Sequence, residues 1–140
     1  MQNFARLIGI DVGKKRYGLA QTDLLKTIAS PVGTFSPDEI IDKISQIVEE
    51  SPVEGFIVGW PLTPNGEEGD ATQMVQEFIN RLKKLHNDIP VIKIDERYTS
   101  NQAKDVMLKI GIPKKKRREK ERVDRIAAAL ILQTYLDSNI

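Results

Sequence analysis

The order of strand-like and helix-like segments constrains the fold of this chain more than any other feature of the sequence. A short, continuous apolar run over residues 7–10 ends at Asp11, which is the pattern of a central strand buried on both faces. Two more strand-like segments, residues 17–22 and 28–35, follow after connections short enough for antiparallel neighbours. The chain is therefore expected to begin with a three-stranded antiparallel meander.

After the meander, helical and strand patterns alternate without a repeat or a linker. The segments are a helix opened by the capping box at Ser36, a strand over 56–58, a helix over 70–85, a strand over 91–94, a helix opened at Thr99 and ending near Gly111, and a helix over 123–136. This order predicts one α/β domain over residues 1–140. We expect a mixed five-stranded sheet, three antiparallel strands followed by two parallel strands, with helices on its faces.

Composition excludes several classes of protein. A chain of 140 residues with 40% hydrophobic and 29% charged residues is long enough for one hydrophobic core. The absence of cysteine removes disulfides, thiolate zinc sites and cysteine nucleophiles, and the single His86 cannot build a zinc cluster. No apolar run approaches the length of a membrane span and no leader pattern opens the chain, so we expect a cytoplasmic protein without membrane contact.

Charge is distributed unevenly along the chain. Residues 114–122 contain seven positive and two negative side chains, a local net charge of +5, whereas the whole chain carries only +1. An acidic body with one basic segment is suited to grip a phosphate backbone at one place. Composition alone leaves a solvated charged loop as an equal alternative.

Acidic residues stand at the ends of two of the three predicted strands that can pair in parallel. The strands ending at Asp11, at Gly59 and at the pair Asp95 and Glu96 are the candidates for mutual parallel pairing, because helices lie in the later crossovers. Open α/β sheets bind ligands at the carboxyl ends of their strands, so we expect Asp11 and Glu96 in one cleft. Asp124, at the start of the last predicted helix, is the third candidate.

Three converging carboxylates without cysteine or histidine suit a hard cation, Mg²⁺ or Mn²⁺, and the hydrolysis of a phosphodiester. Alternation along a strand favours Glu96 over Asp95 as the ligand, since neighbouring residues point to opposite faces. Structural explanations remain open for the same residues. Asp124 is also a plausible helix cap, and Asp95, Glu96 and Arg97 also fit a surface ion pair.

Four motifs give the sequence a resemblance to a known family. The segments GIDVGKKRYGLA, IVGWPL with the following NGEEG, IDERYTS and VDRIAAALIL resemble, in order and spacing over nearly the full chain, the YqgF (RuvX) family of ribonuclease-H-like nucleases. The resemblance implies a ribonuclease-H-like fold. It also implies that the metal-binding catalytic set falls on Asp11, Glu96 and Asp124, the acidic residues of the first, third and fourth motifs.

Basic and aromatic residues near these motifs are candidates for nucleic-acid binding. Lys14, Lys15 and Arg16 can contact phosphate, and Arg97 can orient Glu96 or a phosphate. Trp60 has two interpretations, stacking on a base at the rim of the cleft or packing over the loop. The basic segment supplies Lys114, Lys115, Lys116, Arg117, Arg118, Lys120 and Arg122.

The resulting hypothesis is a metal-dependent nuclease, a hydrolase acting on structured RNA. The resemblance implies processing of the 5′ end of the precursor of 16S ribosomal RNA, in ribosome biogenesis. Two alternatives stay open. One is a Holliday junction resolvase, which would act on four-way DNA as a symmetric homodimer. The other is a non-catalytic RNA-binding module for ribosome assembly. An actin-like ATPase is disfavoured because that architecture encloses its nucleotide between two such domains.

Overall fold

Five strands and three helices are described in the computed structural model, which covers residues 4–96 and 120–138, with side chains from 126 onwards in the second range. In chain order the elements are β1 (Arg6–Val12), β2 (Tyr17–Thr22), β3 (Ala29–Phe35), α1 (Pro37–Glu50), β4 (Val53–Trp60), α2 (Asp70–Leu85), β5 (Val91–Asp95) and α3 (Lys120–Ser138). Within these residues, no helix is long and apolar enough to cross a membrane.

The five strands form one mixed sheet in the order β3-β2-β1-β4-β5. The first three strands pair antiparallel, and β4 pairs parallel with β1 on one side and with β5 on the other. This is the predicted arrangement, and it puts the carboxyl ends of β1, β4 and β5 along one edge of the sheet. We call that edge the carboxyl edge.

Helices cover both faces of the sheet. One face packs against α1 and α2 through apolar side chains that include Ile10, Ile44, Val58 and Phe78. The other face packs against α3 through a smaller cluster. The buried members of that cluster are Leu7, Ala20, Ile57, Ala128, Ile131 and Leu132. The two faces are called here the α1/α2 face and the α3 face.

A local signal in the sequence explains where α1 begins. At the start of α1, the Ser36 hydroxyl accepts a hydrogen bond from the Glu39 amide at 3.2 Å, and the Glu39 carboxylate accepts one from the Ser36 amide at 3.1 Å. This reciprocal capping box satisfies two amides that the first turn of a helix leaves without partners. The predicted second helix, residues 70–85, is confirmed residue for residue as α2.

Three strands (β1, β4 and β5) and the last helix extend further than the apolar pattern indicates. β1 continues through Val12, and α3 spans 120–138 in place of 123–136. Gly59 and Trp60 were expected to close the strand and begin a loop, and this was wrong because both are paired within β4. Apolar periodicity marks only the buried part of an element, whereas backbone hydrogen bonding continues beyond it. The helix predicted from Thr99 to Gly111 lies outside the described residues.

Candidate active site

Two carboxyl groups, one near the end of β1 and one just after β5, meet on the α3 face at the carboxyl edge. Asp11 lies near the end of β1, and Glu96 occupies the short turn that directly follows β5. The register pairs Ile10 with Val58 across β1 and β4, and Gly59 with Ile94 across β4 and β5. One residue further along, Asp11 therefore lies beside Gly59. The two acids flank Gly59, the last glycine of β4, and their carboxyl groups are hydrogen-bonded to each other.

The electrostatics of this pair are unfavourable for two full negative charges. Burial disfavours the ionised form of Glu96, the hydrogen bond to Asp11 favours its neutral form, and the charges of Asp11 and Asp95 act in the same direction. Together these causes raise the pKa of Glu96 from 4.5 to about 9. Without a cation, the raised pKa therefore keeps Glu96 protonated at neutral pH.

Helix α3 packs closely over β1 next to this pair. A Cβ atom placed on Gly9 would lie 2.8 Å from the carbonyl oxygen of Ala128 and 2.8 Å from Leu132 Cβ, so the helix backbone touches the strand there. Further along α3, the side chain of Gln133 accepts a hydrogen bond from the Ala29 amide at 3.2 Å. Ala29 lies at the opposite end of the sheet, so the first residues of α3 are directed to the carboxyl edge.

Asp124, the third acidic candidate, lies in the first part of α3, one helical turn before Ala128. Its side chain is outside the described residues, and so is the whole of Arg97. Among the side chains that are described, no group of three histidine, cysteine, aspartate or glutamate residues could hold a metal ion. The structure thus brings together two of the three predicted carboxylates, Asp11 and Glu96.

Asp95 and Trp60 lie on the other face of the sheet. Trp60 is paired with Asp95 across β4 and β5, and its ring packs against the core on the α1/α2 face. The Lys93 ammonium lies 3.9 Å from the centre of that ring and donates a hydrogen bond to Gln76 at 2.8 Å. Trp60 and Lys93 line a groove of about 500 Å³ beside the start of α2. Trp60 therefore packs against its own protein and does not face the carboxyl pair.

Three cationic side chains stand at the carboxyl edge. Lys14, Lys15 and Arg16 form the turn between β1 and β2, and all three are exposed. The turn is closed by a hydrogen bond from the Gly13 amide to the Arg16 carbonyl at 3.2 Å. Hydrogen bonds to the side chain and backbone of Ser36 lower the pKa of Glu39 most. The nearby charge of Arg16 lowers that pKa further. The other predicted cations are Arg97 and those of residues 114–122, and none of their side chains is described.

Two glycines that matter for the geometry were missed from the sequence. Gly9 was counted only as part of an apolar run, and Gly59 only as the end of a strand. A signal was present, because a glycine within a buried strand often marks a place where another part of the protein approaches closely. The sequence pattern does not say which part approaches.

A family model described as RuvX, Holliday junction resolvase, matches residues 5–138. The chain belongs to the RuvX family. Among its curated RuvX relatives, the protein from Chlorobium phaeobacteroides is 45% identical over 133 residues, which cover 95% of this chain and 92% of the relative. The protein from Salinibacter ruber is 42% identical over 133 residues, with 95% and 93% covered. Both carry the name "Putative pre-16S rRNA nuclease".

Solved structures that have low sequence identity to this RuvX chain share its fold. T. thermophilus RuvC in complex with a Holliday junction substrate superposes with a TM-score of 0.60 at 14% identity, covering 96% of each chain. The yeast mitochondrial Holliday junction resolvase Ydc2 superposes with a TM-score of 0.57 at 12% identity, covering 97% of this chain and 79% of its own. The fold is therefore ribonuclease-H-like, as predicted.

Proposed function

We propose that this RuvX protein is a metal-dependent nuclease that hydrolyses phosphodiester bonds and processes the 5′ end of the precursor of 16S ribosomal RNA. The observation that carries the proposal is the contact between the Asp11 and Glu96 carboxyl groups at the carboxyl edge of the sheet. The names of the curated relatives support a precursor of 16S ribosomal RNA as the substrate, and the ribonuclease-H-like fold carries the carboxyl pair.

The carboxyl pair fits a divalent cation. Two acids that burial and mutual repulsion keep from ionising together are stabilised as carboxylates when a cation binds between them. All the donor atoms are oxygens, which Mg²⁺ and Mn²⁺ prefer. Asp11 and Glu96 would hold the ion, with Asp124 as the third ligand, since its helix is directed to the same edge. A cation bound there supplies positive charge against the negative charge that builds on the phosphate during hydrolysis.

The residues of the chain itself would hold the substrate in place. We propose that the exposed Lys14, Lys15 and Arg16 bind phosphates of the nucleic-acid backbone beside the carboxyl pair, where they offset its negative charge. Arg97 and the basic segment of residues 114–122 are proposed as further phosphate contacts. Trp60 is left out of this interface because it packs on the opposite face of the sheet.

Cleavage by the Asp11→Asn variant tests the proposal. An amide keeps the size of the side chain and loses the anionic oxygen that hard cations favour. With Mg²⁺ and precursor 16S rRNA, we expect the cleavage rate to fall by roughly 10²–10³-fold, the scale observed when one transition-state charge contact is removed. Asp42→Asn, the same change on the exposed side of α1, is the control and should cleave at the wild-type rate.

Cleavage at the wild-type rate by a folded Asp11→Asn variant would exclude the proposed site. The remaining explanation would be the non-catalytic RNA-binding module. In that case, neutralising residues 114–122 should abolish RNA binding, while Asp11→Asn leaves it unchanged.

A Holliday junction resolvase is the second candidate, favoured by the description of the family model and by the RuvC complex. A resolvase cuts two paired strands symmetrically and therefore needs two active sites related by a twofold axis. Matched cleavage assays on four-way DNA junctions, duplex DNA and precursor rRNA, together with sedimentation of the protein, separate the two candidates. If the protein is a dimer and cleaves only four-way junctions, the resolvase function would replace the proposed processing of precursor rRNA.

A further inference from the structure

Gly59 lies on β4, between Asp11 on β1 and Glu96 just after β5. We propose that Gly59 is a positioning residue, whose missing side chain leaves the space in which the Glu96 carboxyl group reaches across β4 to Asp11. The consequence for metal binding rests on the proposed function above, whereas the contact itself is a property of the folded chain.

Steric overlap is the main evidence. A Cβ atom on Gly59 would overlap Oε1 of Glu96, and it would lie 2.7 Å from Glu96 Cγ and 2.7 Å from Ile131 Cδ1. Carbon atoms in contact are ordinarily about 3.5–4.0 Å apart. The Glu96 side chain thus occupies the place where any other residue at position 59 would put its first carbon.

Backbone conformation does not explain the glycine. Gly66 is the glycine with a positive φ among the described residues, and Gly59 lies in a regular strand that pairs on both sides. An alanine would therefore be compatible with the backbone at position 59. What it would change is the space on the α3 face.

The neighbours of Gly59 show which atoms would have to move. β4 pairs with β1 as far as Val58 and with β5 as far as Trp60, and this pairing restrains the strand at Gly59. The Ile131 contact is the tip of a flexible side chain, which can rotate away. The methyl group would therefore displace the Glu96 carboxyl group from Asp11.

Gly55 offers a matched control on the same strand and the same face. A Cβ atom on Gly55 would lie 3.1 Å from Leu7 Cδ2, the end of a flexible side chain, and 4.0 Å from the Pro90 carbonyl oxygen. It touches neither acid. Gly55→Ala thus adds a methyl group to β4 without changing the distance between Asp11 and Glu96.

Thermal unfolding without metal tests the contact directly. Gly59→Ala should lower the Tm of the wild-type protein, and it should lower the Tm less in a Glu96→Ala background, where the overlapping side chain is absent. Gly55→Ala should shift the Tm equally in both backgrounds. Two results would overturn the proposal: Gly59→Ala lowers the Tm equally in both backgrounds, or the double variant does not fold. In either case the space at Gly59 would serve the packing of α3 against the sheet and not the position of Glu96.

Binding of Mn²⁺ tests the consequence for the site. We expect Gly59→Ala to bind Mn²⁺ at least about tenfold more weakly than wild type, as is typical when a residue that orients a ligand is changed. Gly55→Ala should keep the wild-type affinity. A folded Gly59→Ala variant that binds Mn²⁺ as tightly as wild type would refute the positioning role of Gly59. This holds even if Asp11→Asn no longer binds the ion. No Mn²⁺ binding by wild type would refute the proposed function, and the unfolding experiment would still decide the role of Gly59.

Discussion

Asp11 and Glu96 acquire their properties from their position in the sheet. Each is an ordinary acid in the sequence, but the parallel register of three strands places them on either side of a glycine, partly shielded from water. Proximity and burial then make the doubly ionised pair unfavourable. A divalent cation removes that cost, so the same geometry that destabilises the metal-free protein favours metal binding.

The raised pKa of Glu96 predicts a dependence of stability on pH. In metal-free protein, folded Glu96 keeps its proton up to about pH 9, whereas unfolded Glu96 loses it near 4.5. Between these values the folded state binds more protons, so the free energy of unfolding should fall as the pH rises. Urea unfolding in a chelator at several pH values between 5 and 9 measures this decline.

Glu96→Gln is the control for the pH experiment. The amide stays neutral at every pH and can still donate a hydrogen bond to Asp11. The decline in stability should therefore be smaller in this variant than in wild type. Identical pH profiles for the two proteins would show that Glu96 is not protonated in the folded state.

At the scale of single residues, sequence rules succeeded where a simple periodicity applies. Strand alternation favoured Glu96 over Asp95, and the structure places only Glu96 against Asp11, while its role as a metal ligand stays a prediction. The meaning of Gly59 could not be predicted in the same way. It depends on the contact between β4 and a residue 37 positions later, which no local pattern encodes.

Among the elements, α3 shows how packing against the sheet serves the site. Its backbone touches β1 at Gly9, two residues before Asp11, and its small Ala128 permits that approach. Because Asp124 lies one turn earlier on the same helix, the depth at which α3 packs fixes how far the helix start lies from the carboxyl pair. Small side chains at residues 127–129 permit such close packing, but the sequence did not identify Gly9 as the point of contact.

Replacing Gly9 with alanine should loosen α3. The new methyl group would meet the Ala128 carbonyl at 2.8 Å, and a backbone atom cannot rotate away as a side chain can. We expect the free energy of unfolding to fall by about 1–3 kcal/mol, the usual cost of overpacking a core. Urea denaturation measures the change, and Gly55→Ala, which meets only a flexible side chain, should cost less. A midpoint for Gly9→Ala at or above that of wild type would contradict the described contact.

Element limits were predictable only where the signal lies in the sequence itself. Helix α1 begins where the Ser36 capping box puts it, because capping is a local hydrogen-bonding pattern. The ends of β1 and β4 were not predicted, since Val12, Gly59 and Trp60 belong to strands through pairing with distant segments. Pairing across a sheet depends on the partner strand, and a single segment does not contain that information.

At the scale of the whole molecule, the mixed topology of the sheet could be predicted from the sequence. The face of the sheet on which each candidate functional residue lies could not. Short connections require antiparallel neighbours and helical crossovers permit parallel ones, which leaves few arrangements for this order of segments. The placement of Trp60 on the face opposite the carboxyl pair follows from the register of β4, which the sequence did not define. The pair and the cationic turn 14–16 share one edge, so the proposed chemistry and the proposed phosphate contacts are neighbours.

If Asp11 and Glu96 jointly hold the cation of a nuclease, Mn²⁺ should bind between their carboxylates. Anomalous X-ray diffraction from crystals soaked in Mn²⁺, with Asp11→Asn crystals treated in the same way, locates the ion. We expect an anomalous peak within bonding distance of one oxygen from each carboxylate in wild type, and no peak there in Asp11→Asn. A preparation that cleaves precursor rRNA with Mn²⁺ but shows no peak between the two carboxylates would show that this pair does not hold the catalytic ion.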